Sequence, residues 1–346
     1  MSIEKILITG GCGFIGRNLI HSLMQENPSL KVRVLDNLSV GSREELTRVT
    51  RFKDKRQDFG TWEEGVCLAE GDILDKSFSL KALLGADAVV HLAANTGVIP
   101  SIENPEMDCQ ANVVGTVNLL ESCRFNRVRR FIMASSGAPL GSQQPPIHEE
   151  MNPRPISPYG ASKLAGEAYC SAYFGSYGLD TVCLRFGNVY GPWAENKSSV
   201  VAKFAKQILN QEDLVIYGDG TQTRDFIHTA DLCDAIRKAL FTDGIGGQVF
   251  QIATHKEHTV LEVAEGLNEA FYSRLGHRSR ITYEARRDGE VQRNFSNIDK
   301  AKKVLKWSPQ IGFEEGLRMV VDWFLERSAT ETVGVRESHN RKETQL

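Results

Sequence analysis

Lys5-Ile-Leu-Ile-Thr-Gly10-Gly-Cys-Gly-Phe-Ile-Gly16-Arg-Asn-Leu-Ile20 is the stretch from which the rest of the chain can be read. Four β-favouring residues, Ile6 to Thr9, run into glycines and then into an apolar, helix-like segment. The pattern predicts strand, tight turn and helix, with Gly10, Gly11, Gly13 and Gly16 in the turn. Glycine suits such a turn because it takes unusual φ values. It also lets the backbone approach a pyrophosphate, which the free N–H groups and dipole of a helix N-terminus attract. Glycines punctuate many loops, so the spacing gains its weight from context. Twenty residues beyond Gly16, Asp36 closes a second apolar run, Val32-Arg-Val-Leu35. An acid there can bind both hydroxyls of an adenosine ribose and repels a 2′-phosphate, which selects NAD over NADP.

The chain has 346 residues, longer than most single domains, and predicts either one large domain with a smaller lobe or two domains. An apolar content of 41% and a charged content of 25% are those of a soluble globular protein. The net charge of −3 gives no electrostatic case for nucleic acid or an anionic membrane as partner. No apolar run reaches the roughly 20 residues of a membrane helix. The first strand begins without a preceding signal segment, so a cytoplasmic location is expected. The seven cysteines (12, 67, 109, 123, 170, 183 and 233) are scattered, without CxxC or Cys/His ligand spacing. That suits a reducing compartment and gives no metal site.

Strand and helix signals alternate through the first half. Val66-Cys-Leu-Ala-Glu70 leads into Gly71-Asp72-Ile73, whose acid could face an adenine. Asp87-Ala-Val-Val-His-Leu-Ala-Ala94 is the continuous apolar strand of a parallel sheet, and Arg130-Phe-Ile-Met-Ala-Ser135 and Thr181-Val-Cys-Leu-Arg-Phe186 follow it. Residues 106–126 and 159–178 read as long helices. The alternation implies an α/β fold, a doubly wound parallel Rossmann sheet whose ligand crevice lies at the carboxyl ends of its strands. The expected organisation is a dinucleotide-binding domain over 1–187 and a smaller α/β substrate-binding lobe over 188–327. A polar, charged tail from 328 is expected to be disordered.

Tyr159 and Lys163 lie i, i+4 on one helical face, and Ser136 lies just past the strand 130–135. A tyrosinate can take the proton of a secondary alcohol if a nearby cation lowers its ordinary value of about 10. Lys163 and a positive nicotinamide ring supply that charge, and Ser136 can hydrogen-bond the same oxygen as it becomes a carbonyl. Tyr and Lys at this spacing are commonly a solvated helix surface. Behind a dinucleotide fingerprint, and at this place in the strand order, they read as catalytic.

With these residues in place, the sequence resembles an extended short-chain dehydrogenase/reductase of the NAD-dependent sugar epimerase/dehydratase family, nearest to the nucleotide-sugar 4-epimerases. The matching stretches are Thr9 to Gly16, Asp36-Asn-Leu-Ser39, Gly71-Asp-Ile73, His91-Leu-Ala-Ala94 and Asn112-Val-Val-Gly-Thr-Val-Asn118. They continue with Ala134-Ser-Ser136, Pro158-Tyr-Gly-Ala-Ser-Lys163, Arg185-Phe-Gly-Asn-Val-Tyr-Gly-Pro192 and Tyr217 to His228. The resemblance implies that Gly10, Gly13, Phe14, Ile15 and Gly16 hold the pyrophosphate of NAD, and that Asp36 and Asn37 hold its adenosine ribose. It further places Asp72 and Ile73 at the adenine, Leu92, Ala93 and Ala94 along the cofactor, and Tyr159 and Lys163 at the nicotinamide end. Asn188, Arg224 and Arg287 match positions that bind the nucleotide diphosphate, as guanidinium and amide groups suit phosphate oxygens. Thr96 and Ser101 are candidates for contacts to the sugar. A homodimer is likewise implied by the resemblance.

The two positions after Ser136 separate the reactions of the family. Dehydratases resemble this chain but carry an acid pair there, and decarboxylases carry a nearby Glu. Here they are Gly137 and Ala138, which can neither donate nor accept a side-chain proton. The expected reaction is inversion at C4 of a nucleotide-diphosphate sugar, a UDP-hexose or UDP-N-acetylhexosamine. The alternatives are a dehydratase, decarboxylase or reductase of the same family, or a non-catalytic NAD-binding protein. Pro139-Leu140-Gly141 stands where the family usually has Val-Tyr-Gly, which bears on the substrate. Asn294 aligns with the position that sets pocket size in the 4-epimerases. It is smaller than the Tyr of enzymes restricted to plain hexoses, which predicts room for a C2 N-acetyl group.

Overall fold

In the computed structural model the chain is described over residues 3–286 and 291–343, with residues 329–343 described by backbone alone. Seven strands of the first half are β1 (Lys5–Thr9), β2 (Lys31–Asp36), β3 (Phe52–Asp54), β4 (Gly65–Glu70), β5 (Ala88–His91), β6 (Arg130–Ser136) and β7 (Asp180–Phe186). With the later strand Gln248–Ile252 they make one eight-stranded sheet in the order 248–252, β7, β6, β5, β1, β2, β4, β3. Its neighbouring strands all pair in parallel. Thr9 stands beside Leu35 on one side and His91 on the other. The strand order reverses there, between β1 and β5, which is where ligands enter sheets of this class.

The continuous apolar strands follow from helices on both faces. Successive side chains point to opposite sides, so Ile6, Ile8, Ala88, Val90, Ile132, Val182 and Leu184 enter one core. Leu7, Val89, Phe131, Met133 and Cys183 enter the other. The first core is closed by α1 (Phe14–Glu26), through Leu19, Ile20 and Leu23, and by the helix Thr229–Phe241. Crossing from β2 to β5 are the short helices α2 (Arg43–Thr47) and α3 (Lys76–Ala82). Beyond β5 come α4 (Val98–Glu103), α5 (Pro105–Cys109), α6 (Gly115–Asn126) and α7 (Pro158–Tyr177). α6 and α7 give Leu119, Leu120, Cys123, Cys170 and Tyr173 to the second core.

Several expectations meet differences. The helix expected over 106–126 is α5 and α6 joined by a π-helical turn, Gln110–Val114, with the fully buried Asn112 inside it. The segment between β2 and β4 holds α2 and the edge strand β3, whose backbone pairs with β4 at the margin of the sheet. The chain also divides less simply than a break near 188. One compact unit comprises Met1–Val189, Arg224–Glu257 and Arg293–Gln310; the other comprises Tyr190–Thr223, His258–Gln292 and Ile311–Leu346. The first unit takes back later segments because Phe250 and Ile252 complete its sheet, and Ile298, Leu305 and Trp307 its first core. The second unit has its own parallel strand pair, Leu214–Tyr217 with Ile281–Glu284, and the helices Val200–Leu209 and Val260–Leu275. The last helix, Phe313–Glu343, continues past residue 328, where a disordered tail was expected. Among the described residues no helix is long and apolar enough to cross a membrane, and no group of His, Cys, Asp or Glu is placed to hold a metal.

Candidate dinucleotide and catalytic site

The glycine turn divides its tasks. Gly10 is the one of the four with a positive φ, 69°, and donates its N–H to the Leu35 carbonyl at 2.9 Å. Gly16 is required by closeness: a Cβ there would stand 2.4 Å from the Gly10 carbonyl oxygen and 2.5 Å from the Gly11 Cα. A Cβ at Gly13 would meet just the Gly10 oxygen, at 3.2 Å, so the space over this glycine is largely open. Gly13 is also the N-cap of α1, with no side-chain cap on that helix end, so the first-turn N–H groups, those of Phe14 and Ile15 included, have no capping side chain. An open cradle over uncapped amides fits a pyrophosphate.

The Asp36 carboxyl, at the end of β2, accepts the Cys12 N–H at Oδ2 and the Leu38 N–H at Oδ1, both at 2.9 Å. With the Cys12 thiol as a third donor, the carboxylate still has lone pairs for ribose hydroxyls, so the residue also fits the adenosine end. Burial pushes this carboxyl up from its ordinary value, and the two amides oppose the shift. Asn37 donates to Asp72 Oδ2 at 2.9 Å, and Asp72 Oδ1 accepts the Leu74 N–H. Ile73 is buried against Gly115, and its carbonyl takes a bond from Asn118. Past β5, the Leu92 and Ala93 N–H groups go to Thr9, to its carbonyl and its hydroxyl, and half-buried Ala94 follows.

Ser157 caps α7 by accepting the Gly160 N–H, and Pro158 begins the helix, so Tyr159 stands in its first turn and Lys163 one turn on. Lys163 is buried, with Nζ donating to the Ala134 carbonyl on β6 at 3.0 Å and lying 5.9 Å from the centre of the Tyr159 ring. The Ser136 hydroxyl hydrogen-bonds the Tyr159 phenol and accepts the Ala138 N–H at 3.2 Å. The trio is therefore assembled at the carboxyl end of β6. Its acid–base order differs from the expectation that Lys163 lowers Tyr159. Burial raises Tyr159 to about 12, with the Ser136 bond opposing, and lowers Lys163 to about 8. Burial thus works against both the ammonium form of Lys163 and the phenolate form of Tyr159.

Of the substrate candidates, Asn294 reaches this place. Its Nδ2 lies 3.8 Å from where a Gly137 Cβ would be, beside Ser136. Leu140 is fully buried in the turn Ala138–Leu140, so its difference from the family's aromatic is one of packing. Asn188 is exposed and donates its backbone N–H to the Asp225 carbonyl, next to Arg224. Arg287 lies outside the described residues. Thr96 is exposed after β5. Ser101 is not available to a sugar: it has no exposed surface, and its hydroxyl is donated to the Val98 carbonyl within its own turn at 2.6 Å.

Sequence reasoning passed over the groups behind the trio. Asn112 accepts the Asn95 N–H and shares its two amide hydrogens among Asn95 O, Asp108 Oδ1 and Ser162 Oγ, at 2.8–3.1 Å. Glu167 binds Arg185 through both oxygens, at 2.8 and 2.7 Å, and also takes the Ser135 hydroxyl. An Asp and an Asn four apart at 108 and 112 were the one available sign of the first group.

Parallel sheet, glycine turn, acid-ended β2 and the Ser/Tyr/Lys trio define the class, an extended short-chain dehydrogenase/reductase. The chain belongs to the NAD dependent epimerase/dehydratase family, whose pattern it matches over residues 6–253. It is 33% identical to a UDP-glucose 4-epimerase of Mycolicibacterium smegmatis, over 94% of this chain and 99% of that one. A solved UDP-N-acetylglucosamine 4-epimerase from Methanobrevibacter ruminantium, in complex with UDP-N-acetylmuramic acid, superposes with a TM-score of 0.83 at 32% identity, covering 94% and 100% of the two chains. The dTDP-glucose 4,6-dehydratase DesIV of Streptomyces venezuelae, solved with NAD bound, gives 0.81 at 30% identity and 93% and 97% coverage.

Proposed function

We propose that this protein inverts C4 of a nucleotide-diphosphate sugar, a UDP-hexose or UDP-N-acetylhexosamine, through a transient 4-keto sugar. The observation that carries the reading is the trio Ser136, Tyr159 and Lys163 with Gly137 and Ala138 beside it. NAD, held by the glycine turn and Asp36, supplies a hydride acceptor and, once reduced, a hydride donor. The Tyr159 oxygen takes the proton of the C4 hydroxyl and later returns it. Ser136 donates a hydrogen bond to the same sugar oxygen, and Lys163 supplies positive charge beside the phenolate. Elimination of water would need an acid and a base that Gly137 and Ala138 cannot provide, which favours epimerase over dehydratase although both occur among the relatives. Asn188, Arg224 and Arg287 anchor the diphosphate while the sugar turns to present its other face. Asn294 leaves room for an N-acetyl group at C2.

The test follows C4 inversion by NMR across UDP-glucose, UDP-N-acetylglucosamine, UDP-glucuronate and their galacto forms. At least one pair interconverts, and the N-acetyl pair is among the substrates. Tyr159→Phe lowers kcat by about 10²–10⁴-fold while the purified protein still carries NAD. Full activity in that variant would sink the mechanism, and an inert N-acetyl pair beside active UDP-glucose would sink the role of Asn294.

A further inference from the structure

One buried carboxylate stands beside the proposed catalytic pair with no part in the reaction as written. Asp108, in α5, has no exposed surface, and its Oδ1 accepts from the Asn112 amide at 3.0 Å. Its Oδ2 is buried and has no hydrogen-bond partner among the described residues. A carboxylate with a bare oxygen in a dry interior is strongly disfavoured unless positive charge lies close to it. The same Asn112 amide donates to Ser162 Oγ at 3.1 Å, and Ser162 in turn donates to the Tyr159 carbonyl. Asp108 is thereby tied to the very turn of α7 that carries Tyr159 and Lys163.

The charges facing this place leave little choice of partner. Glu167 on α7 is neutralised by Arg185 on β7 through two bonds. His91 on β5 is held neutral by burial and by the nearby Lys163, down to about 3. The Cys183 thiol on β7 is pushed up by its bond to Cys170 and by burial, and Cys170 itself touches the Met133 sulfur. Lys163 bonds a neutral carbonyl, that of Ala134. Among the described groups here, Lys163 is the cation without a carboxylate and Asp108 the carboxylate without a cation.

We propose that Asp108 is a positioning residue for this site, the counter-charge that holds Lys163 as an ammonium ion beside Tyr159, kept in place by Asn112 and Ser162. The proposal rests on Tyr159 and Lys163 being the catalytic pair. A nearby carboxylate favours a protonated lysine and disfavours a tyrosinate, and Asp108 acts on both residues in that sense. Both groups therefore keep their protons to higher pH with Asp108 than without it. Burial already lowers Lys163, so loss of the Asp108 charge would shift it further toward the neutral amine, which cannot favour the phenolate.

The direct readout is the titration of Lys163 in the NAD-loaded protein labelled with 13C at the lysine Cε, its resonance assigned by loss in Lys163→Arg. Asp108→Asn moves the Lys163 midpoint down by about one pH unit, and Asp108→Glu recovers most of that shift. The bell-shaped pH profile of kcat moves toward acid on both limbs in Asp108→Asn, whereas a merely structural loss lowers its height and leaves its position. An unmoved Lys163 midpoint in folded Asp108→Asn protein overturns the proposal. Should that variant not fold, the side-chain carboxyl resonance of Asp108 in the unaltered protein decides. An inflection at the Lys163 midpoint supports the pairing, and a flat trace refutes it. A protein inert toward every nucleotide sugar would defeat the epimerase reading but leave the Lys163 titration to judge Asp108 by itself.

Discussion

Thr9, His91 and Thr116 form a chain in which every proton has one place to go. The Thr116 hydroxyl donates to the Asn112 carbonyl at 2.6 Å, so it must accept from His91 Nε2, 3.0 Å away. Nδ1 is then bare and accepts the Thr9 hydroxyl at 2.8 Å, while Thr9 accepts the Ala93 N–H. This fixes a neutral imidazole with its hydrogen on Nε2, and it joins the loop after β5 to the π-helical turn of Asn112. A protonated ring would set two donors against the Thr9 bond and bring a second cation near Lys163. Burial and Lys163 accordingly lower His91 from 6.5 to about 3. The folded value lies below the unfolded one, so the unfolded chain binds the extra proton between them. Stability from this group is complete above 6.5 and is lost as pH falls toward 3. Urea unfolding at a series of acidic pH values should show that slope. In His91→Asn it should be shallower by up to about 1.4 kcal/mol per pH unit, and equal slopes would show that His91 does not titrate as described.

At the scale of the element, the strand–turn–helix from β1 to α1 separates packing from ligand binding within one motif. Gly16→Ala drives a Cβ into the Gly10 carbonyl, which neither backbone can avoid. It should cost about 1–3 kcal/mol of stability, read as a lowered Tm even without cofactor. Gly13→Ala meets one oxygen at 3.2 Å and should leave Tm of the cofactor-free protein nearly unchanged. It should nonetheless weaken NAD binding, because the methyl fills the cradle. If the two variants lose stability equally, Gly13 is a packing residue and the cradle is not where the pyrophosphate lies. The same motif shows why so much of the fold was legible. Apolar runs at Ile6–Ile8 and Ala88–Val90, punctuated by glycine, specify buried parallel strands through local chemistry alone. Tyr159 and Lys163 were legible because four residues of helix fix their spacing. Asp108 and the hydrogen-bond partners of Asn112 and His91 were not, since the sequence records neither a π-helical turn nor which buried polar atoms meet across eighty residues of chain. Ser101 misled for the converse reason: a loop hydroxyl looks alike whether it faces a ligand or its own turn.

Over the whole molecule, the difference between the expected and observed organisation has a physical source. A sequence pattern marks where local regularity changes, and near residue 188 it does change. It does not say which later segments return to an open sheet edge. Here Phe250 and Ile252 extend the sheet beyond β7, and Trp307 is buried with its indole donating to the Asp231 carbonyl at 3.1 Å. Asp225 ties these returns together by accepting from Thr254 at Oδ1 and from the His255 and Ser296 amides at Oδ2. A fragment of residues 1–187 therefore lacks an edge strand, the helix Thr229–Phe241 and much of its first core, leaving Val182, Leu184 and their neighbours facing water. It should show no cooperative thermal transition by calorimetry. Within the full chain, Trp307→Ala should cost about 3–5 kcal/mol, since a fully buried indole leaves a cavity its surroundings only partly close. A fragment of 1–187 that melts cooperatively near the Tm of the full chain would mean that the returning segments decorate the first unit, and the Trp307 variant would then be nearly as stable as the parent.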